Sequence, residues 1–503
     1  MMNGEMRGNY NPPKIEREKY SLEKKDVAFL IFSVISSIAF VILALWGSFK
    51  IGYTCSFLLF FFVTSFYLYK KENKLTFFGT LSGMLAVISS FVFSYSNNFG
   101  VKFYLFVLVF FESAIWFNSL SGIFDNNDDL LIISKIFSTV FGKGVGKIGK
   151  TFATIFDNKN EKIKGMGKAI IGVLCALPVL TVVVPLLISA DGAFEGFVEN
   201  IGENFNTLIK QIILGICIAP FVFTYAISMK KDTFIKGENK ETKGLENIFI
   251  ISFLSSLAIV YIVYLFSQLA YFVDAFKGML PEKFISSEYA RRGFFEMSII
   301  AGINFVIIYL ALIFSRKKND KPSKVIGGVC TFIILFTLFL ISTAIAKMII
   351  YINYFGMSVL RISTSTFMVF LAIVFLALIF RCFIKKIPVI KIMLVAATMV
   401  LLTLGFGNVE KFVADYNVLA YKENKLKSID VEMIADLELS GVPALYDIYK
   451  NVPEYSSDAA KKLCRLYNEV EEERKIGDWS VTDKIALDIL KEFGNENGLN
   501  KKE

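Results

Sequence analysis

Residues 103–124 read FYLFVLVFFESAIWFNSLSGIF, an apolar run whose one charged side chain is Glu112. At about 1.5 Å of rise per residue, such a run crosses the roughly 30 Å hydrocarbon core of a bilayer as a single helix. Similar runs recur along the chain, at 27–49, 51–69, 75–96, 169–190, 206–228, 248–273, 294–314, 325–352, 364–383 and 389–406. The pattern predicts an all-α fold, a polytopic integral membrane helical bundle of about eleven transmembrane helices. Little more than Lys50-Ile51-Gly52 separates the first two runs, so they form a tight helical hairpin.

Composition agrees. The chain is 55% hydrophobic and only 20% charged, with a mean hydropathy of +0.56, whereas soluble domains are about 25% charged. Its 52 Phe and 21 Tyr suit lipid-facing and interfacial positions. The net charge of +9 falls in the loops between spans, so it reads as topology and not as a nucleic-acid surface. Histidine is absent altogether. That removes Ser-His-Asp and Cys-His catalysis, His-ligated zinc and His-ligated haem. Five of the six cysteines (Cys55, Cys175, Cys217, Cys330, Cys382) lie in apolar runs and Cys464 stands alone, with no metal-ligand spacing. No Walker, GxSxG, kinase or dinucleotide motif is present. No cofactor, metal or catalytic residue is expected, and a non-enzymatic role is favoured.

Residues 1–26 read as a polar cytoplasmic tail and not as a cleaved signal, because the first apolar run is long and more follow. Lys and Arg in the short loops concentrate on the face that carries the N-terminus, which orients that face to the cytoplasm. An odd number of spans then puts the C-terminus outside the cytoplasm, with the bundle in the cytoplasmic membrane. Residues 407–503 are far less apolar and show helical caps at Asp430, Ser440, Ser457 or Asp458, and Ser480. They predict a small soluble helical domain resting on the outer ends of the spans. Between about 130 and 156, Ile133, Ile136, Phe137, Val140, Phe141, Ile148 and Phe152 recur at helical spacing, with Lys135, Lys143, Lys147 and Lys150 off that stripe. A basic amphipathic helix of this kind lies in the headgroup plane against anionic lipid.

Ionisable groups at bilayer depth are expensive and mark candidate sites. Glu112 is mid-span, and Lys347 lies late in the ninth span, in ISTAIAKMIIYI. Paired with each other they are structural; facing a wet cavity, either binds a proton or a polar solute. After Pro178 and Pro185, Asp191, Glu195, Glu199 and Glu203 follow at four-residue spacing on one helix face, either a solvated acidic surface or a cation site. Arg291 and Arg292 sit on the outer side against the charge rule, with Glu288 and Glu296 about a turn away. They are paired interfacial anchors or an outer anion site. Arg361 closes the turn that carries Tyr351, Tyr354 and Gly356.

The segments PLLISADGAF (185–194), EYARRGFFEM (288–297), MIIYINYFGMSVLRIS (348–363), VADYNVLAY (413–421) and SIDVEMIADLELSGVPAL (428–445) together resemble the bacterial membrane family called domain of unknown function 4173, close to its sibling 4153. The likeness covers roughly 165–485 and departs at GDWSVTDKIALDIL (477–490), where the family implies a more arginine-rich stretch. It implies a multi-pass membrane protein and no activity, and it singles out Arg291, Arg292, Gly293, Glu296 and Arg361. Three functions remain open. One is small-solute transport or assistance to an envelope process. The second is a non-catalytic scaffold or sensor reading something with its outer helical domain, by way of protein partners that the sequence does not identify. The third is a histidine-free intramembrane enzyme acting on lipid or glycan.

Overall fold

The computed structural model describes residues 22–47, 49–70, 73, 75–123, 132–156, 204–231, 245–276, 287–315, 324–384, 387–469 and 481–499, with 165, 179, 183, 186 and 187 as single helical positions. Side chains of 267–276 and 287–295 are outside that description. Among the described residues every regular element is helical, and ten helices are long and apolar enough to cross a membrane. The chain is an all-α, multi-pass membrane protein. The span expected at 169–190 lies almost wholly outside the described residues, so ten of the eleven expected spans are accounted for.

Two compact units are present, one formed by residues 1–41 and 137–233 and the other by 42–136 and 234–503. In the first unit, α1 (Lys24–Phe40, continued as a π-helical stretch Val41–Leu45) packs along α7 (Asn204–Lys231). Gly215 permits the close approach, since a Cβ there would lie 2.6 Å from the Ile38 Cα. Asp26, fully buried, meets Lys231 at 3.0 Å and Lys230 at 3.7 Å, and Glu23 meets Lys231 at 2.8 Å. The hydrogen bond and charge of Lys231 hold the Glu23 carboxyl below the usual carboxylate range.

The amphipathic stretch differs from its expectation of one continuous helix. It divides into α5 (Ile132–Phe137), a π-helical segment (Ser138–Val145), a turn at Gly146-Lys147 and α6 (Ile148–Phe156). Gly142, Gly144, Gly146 and Gly149 crowd into this stretch, and each glycine weakens a helix interior by about 1 kcal/mol relative to alanine. Phe137, Phe141 and Val145 still form an exposed stripe at four-residue spacing.

In the second unit, α2 (Ile51–Leu68), α3 (Phe77–Tyr95) and α4 (Phe99–Leu120) form antiparallel hairpins, joined by α12 (Val389–Phe406). Small residues set the spacing. Gly83 lies under the Trp116 ring and Gly405 against Val92, where a Cβ would come within 2.9 Å and 2.3 Å of side-chain carbons. Across the helices the Thr54 hydroxyl donates to the Ser90 carbonyl at 2.6 Å, and the Trp116 indole N–H donates to Ser65 at 2.8 Å. A second cluster joins α8 (Asn247–Phe276), α9 (Ser287–Phe314), α10 (Lys324–Phe355) and α11 (Val359–Phe383) around Leu254, Ile308, Ile333 and Phe375. There the fully buried Asn304 accepts from the Tyr261 hydroxyl at 2.5 Å and donates to Thr337 at 2.8 Å. The spans at α9 and α11 start earlier than the apolar pattern indicated. α11 begins after Ser358, whose hydroxyl caps the Arg361 N–H.

After the last span, α13 (Val409–Lys422), α14 (Val431–Ala435), a 3₁₀ turn (Glu438–Gly441), α15 (Val442–Asn451), α16 (Pro453–Glu469) and α17 (Val481–Glu496) enclose a core of their own, centred on Leu445, Ile448, Leu463 and Phe493. We refer to these helices as the cap. Asp430 caps α14 as the sequence indicated, accepting the Met433 N–H at 2.9 Å. Two boundaries move. α16 starts at Pro453, ahead of Ser457, because proline suits the first turn of a helix. Ser440 is not a helix cap; its hydroxyl turns to Glu410.

Cap and bundle ends are joined through buried polar groups. Lys50, in the turn after α1, reaches the fully buried Asp483 at 3.2 Å, and Asn97 donates to the same carboxylate at 2.5 Å. The Thr482 hydroxyl donates to the Tyr95 carbonyl at 3.0 Å. Removing one member of a buried charge pair strands the other, at a cost of about 3 kcal/mol or more. Asp483→Ala should therefore loosen the cap by about 3 kcal/mol, seen as faster protease cleavage within 423–430 in detergent. Cleavage at the wild-type rate would show that this pair does not hold the cap.

Candidate functional site

Glu112, on α4, is a buried acid in the middle of an apolar span. Its side chain is 1% exposed, and its contact is Thr398 of α12, not Lys347: Thr398 Oγ1 lies 2.6 Å from Glu112 Oε1. The same hydroxyl lies 2.9 Å from the Leu394 carbonyl one turn back on α12. A hydroxyl has a single proton to give. Thr398 satisfies both neighbours at once if it donates to Leu394 and accepts from a protonated Glu112. Glu112 Oε2, also buried, has no hydrogen-bond partner among the described residues. The arrangement is a carboxyl held at bilayer depth with one oxygen tied and the other open.

Lys347 lies late in α10, half-buried, and makes no pair with Glu112. Glu296 is exposed on α9. Arg291 and Arg292 fall in the first turns of α9, but their side chains lie outside the described residues, as do Asp191 and Glu195 entirely. Arg361 is a structural clasp. Its guanidinium donates to the carbonyls of Phe355 at 3.0 Å and Gly356 at 2.5 Å, and lies 4.3 Å from the Tyr351 ring centroid. It closes the C-terminal end of α10 where carbonyls lack helical partners. Gly356 has φ +75°, and Asn417 of α13 clamps the next residue, accepting the Met357 N–H at 2.8 Å and donating to its carbonyl at 2.7 Å. A Cβ at Gly356 would meet the Asn417 side-chain oxygen at 2.5 Å. Tertiary contact thus explains the Tyr-Phe-Gly turn and its arginine without a ligand.

The second concentration of polar groups lies where the cap meets the bundle. Glu410, on α13, accepts from the Asn98 side chain of the α3–α4 turn at 3.1 Å and from Ser440 at 3.0 Å. Asn98 also caps α4 through Val101, and Asn408 (φ +43°) caps α13 through Lys411. Beside them opens a cavity of about 300 Å³, lined by residues that include Tyr95, Lys411, Phe412, Asp415 and Ser440. Nothing in the local sequence of Glu410, Asp483, Thr398 and Asn417 separates them from ordinary surface or intrahelical polar residues. Thr398 carried a faint signal as a hydroxyl inside LVAATMVLL.

Two outcomes follow. Glu112→Gln preserves the hydrogen-bonding shape of a protonated acid, whereas Glu112→Ala leaves a cavity and frees the Thr398 contact. The alanine variant should melt lower by about 1–3 kcal/mol of lost stability, and the glutamine variant close to wild type, by thermal unfolding in detergent. Burial holds the Glu410 carboxyl above the usual range, while the Ser440 and Asn98 donors oppose that rise. A carboxyl raised in the folded state binds its proton more tightly there than when unfolded, so its contribution to stability falls as pH rises through the interval between the two values. Cap docking should weaken as pH rises above the ordinary carboxylate range, and Glu410→Gln should flatten that dependence, by protease susceptibility measured against pH.

No curated protein and no solved structure matches the chain. A family model does, the domain of unknown function 4153, over residues 55–448, a stretch that takes in most of the membrane helices and the first part of the cap. All five segments quoted above fall within it. With most of its length matched, this multi-pass membrane protein belongs to the family defined by the domain of unknown function DUF4153.

Proposed function

We propose that the chain is a membrane-anchored scaffold or sensor of the bacterial cytoplasmic membrane, whose helical bundle holds the cap at its extracytoplasmic face to bind a ligand or partner. The observation that carries this is the way the cap is fastened. Its helices bond to three separate interhelical turns, at Lys50, at Asn97-Asn98 and at Met357. Alternating access requires the helix ends on one face to part, and here the cap bonds to three of the turns that join them. The basic face predicted over 130–156 complements anionic headgroups on the cytoplasmic side, with Phe137 and Phe141 exposed for the acyl boundary.

Transport is the second reading, and one observation favours it: the unpartnered Oε2 of Glu112 could exchange a proton or hold a polar solute if water reached it. Orientation and wetness are tested together with single cysteines in a cysteine-free background, challenged with a membrane-impermeant thiol reagent in intact cells. Ser428→Cys, exposed in the cap, should label, and Glu112→Cys in properly inserted protein should be protected. Labelling at position 112 would transfer the case to transport. Protection at position 428, with labelling only after the cells are opened, would put the cap in the cytoplasm and end the extracytoplasmic reading.

A further inference from the structure

The α10–α11 hairpin carries two cysteines at its open end, opposite the turn that Arg361 closes. Cys330 lies near the start of α10 and Cys382 in the last turn of α11. Both are buried in the apolar cluster that also holds Val389, the first residue of α12. The Cys382 backbone lies against Gly327, one turn before Cys330: a Cβ at Gly327 would be 3.7 Å from the Cys382 carbonyl oxygen. Helical side chains lean toward the N-terminus of their own helix. In an antiparallel hairpin that lean carries the Cys382 sulfur toward Cys330 and the Cys330 sulfur back toward Gly327. The two leans converge, and the thiols hydrogen-bond each other. The Thr331 hydroxyl gives its single proton to the Gly327 carbonyl at 2.8 Å, so it offers lone pairs to the Cys382 thiol beside it. A buried cysteine is ordinarily a small apolar filler. What sets this pair apart is direct contact between two free thiols from different helices. Cys55, Cys217 and Cys464 lie on three other helices, α2, α7 and α16.

We propose that Cys330 and Cys382 are a reversible redox site, a dithiol that a small neutral peroxide of the hydrogen peroxide type oxidises to an α10–α11 disulfide. Cys382 reacts first, being 8% exposed where Cys330 is wholly buried. Its sulfur attacks one peroxide oxygen. The S–O bond forms, the O–O bond breaks, and the departing hydroxide leaves as water with the thiol proton. The Cys330 sulfur then attacks the Cys382 sulfur. The S–S bond forms, the S–O bond breaks, and a second water leaves with the Cys330 proton. Two electrons pass from the sulfurs to the peroxide, so two thiols and one peroxide give one disulfide and two waters. A dithiol reductant reverses the step by exchange. The bond staples the open end of the hairpin beside the entry to α12, whose Thr398 contacts Glu112. This site goes beyond the sensor reading and does not depend on which side of the membrane carries the cap.

The test uses the full-length protein, purified with reductant in detergent, freed of it and exposed to hydrogen peroxide. Tryptic digestion without reduction should release Val325–Lys347 joined to Cys382–Lys385, lighter by two hydrogen atoms than the separate peptides. Dithiothreitol should separate them, and the yield should not change on dilution, as for a bond within one chain. In the variant C55A/C175A/C217A/C464A, the two remaining thiols should both be lost. Its melting temperature should rise by several degrees, because the cross-link restricts the unfolded chain. Peptide mapping of the wild type decides the matter if that variant does not fold. Cys330→Ala removes the second thiol, so Cys382 should gain oxygen in place of a link. Recovery of both peptides unlinked from peroxide-treated wild type, whether reduced or carrying oxygen, overturns the proposal.

Discussion

Hydrocarbon offers no hydrogen bonds, and every polar group placed in it must find its partner within the protein. Helices discharge this requirement for the backbone. Several side chains meet it in pairs across helices: Thr54 to Ser90, Trp116 to Ser65, Tyr261 through Asn304 to Thr337, and Glu112 with Thr398. With lipid on one side and apolar helices on the other, there is little hydrophobic preference to bring helices together. Close packing at glycine and these polar clasps supply the specificity instead. Gly83, Gly215 and Gly405 each lie where a larger residue would force two helices apart.

The same physics changes at the end of the last span. Beyond Phe406 the cap encloses a core of its own, with leucine, isoleucine and alanine inside and weak ion pairs such as Lys450–Glu496 outside. A domain of this size has a limited core. Burying Asp483 against Lys50 and Glu410 against Asn98 makes its attachment directional, because these groups are satisfied in one docked position and stranded in any other.

Two environments for charge result, and they carry different functional meaning. Glu112 is enclosed and half satisfied, with no ion-pair partner among the described residues. Lys411 and Asp415 are exposed at the edge of a recess lined from the α3 end, α13, the 3₁₀ turn, α15 and α17. Arg361 shows how a charged residue that looks functional can be absorbed by architecture, since its donors are spent on the carbonyls of the turn it closes.

The sequence by itself determined the membrane character, the helical class, the positions of ten described spans, the change of composition after residue 406 and the cap at Asp430. These are local properties: length, hydropathy and turn chemistry are written in consecutive residues. It also identified Glu112 as a charge at depth, because one acidic residue in an apolar run needs no alignment to be noticed. The tertiary structure alone decided what each charge meets. Glu112 finds Thr398 across 286 positions of chain and Lys50 finds Asp483 across 433. The cavity beside Glu410 exists only because the cap folds back over the ends of helices far earlier in the chain. Such contacts depend on which faces meet after packing, and periodicity reports the face of a helix without naming its neighbour.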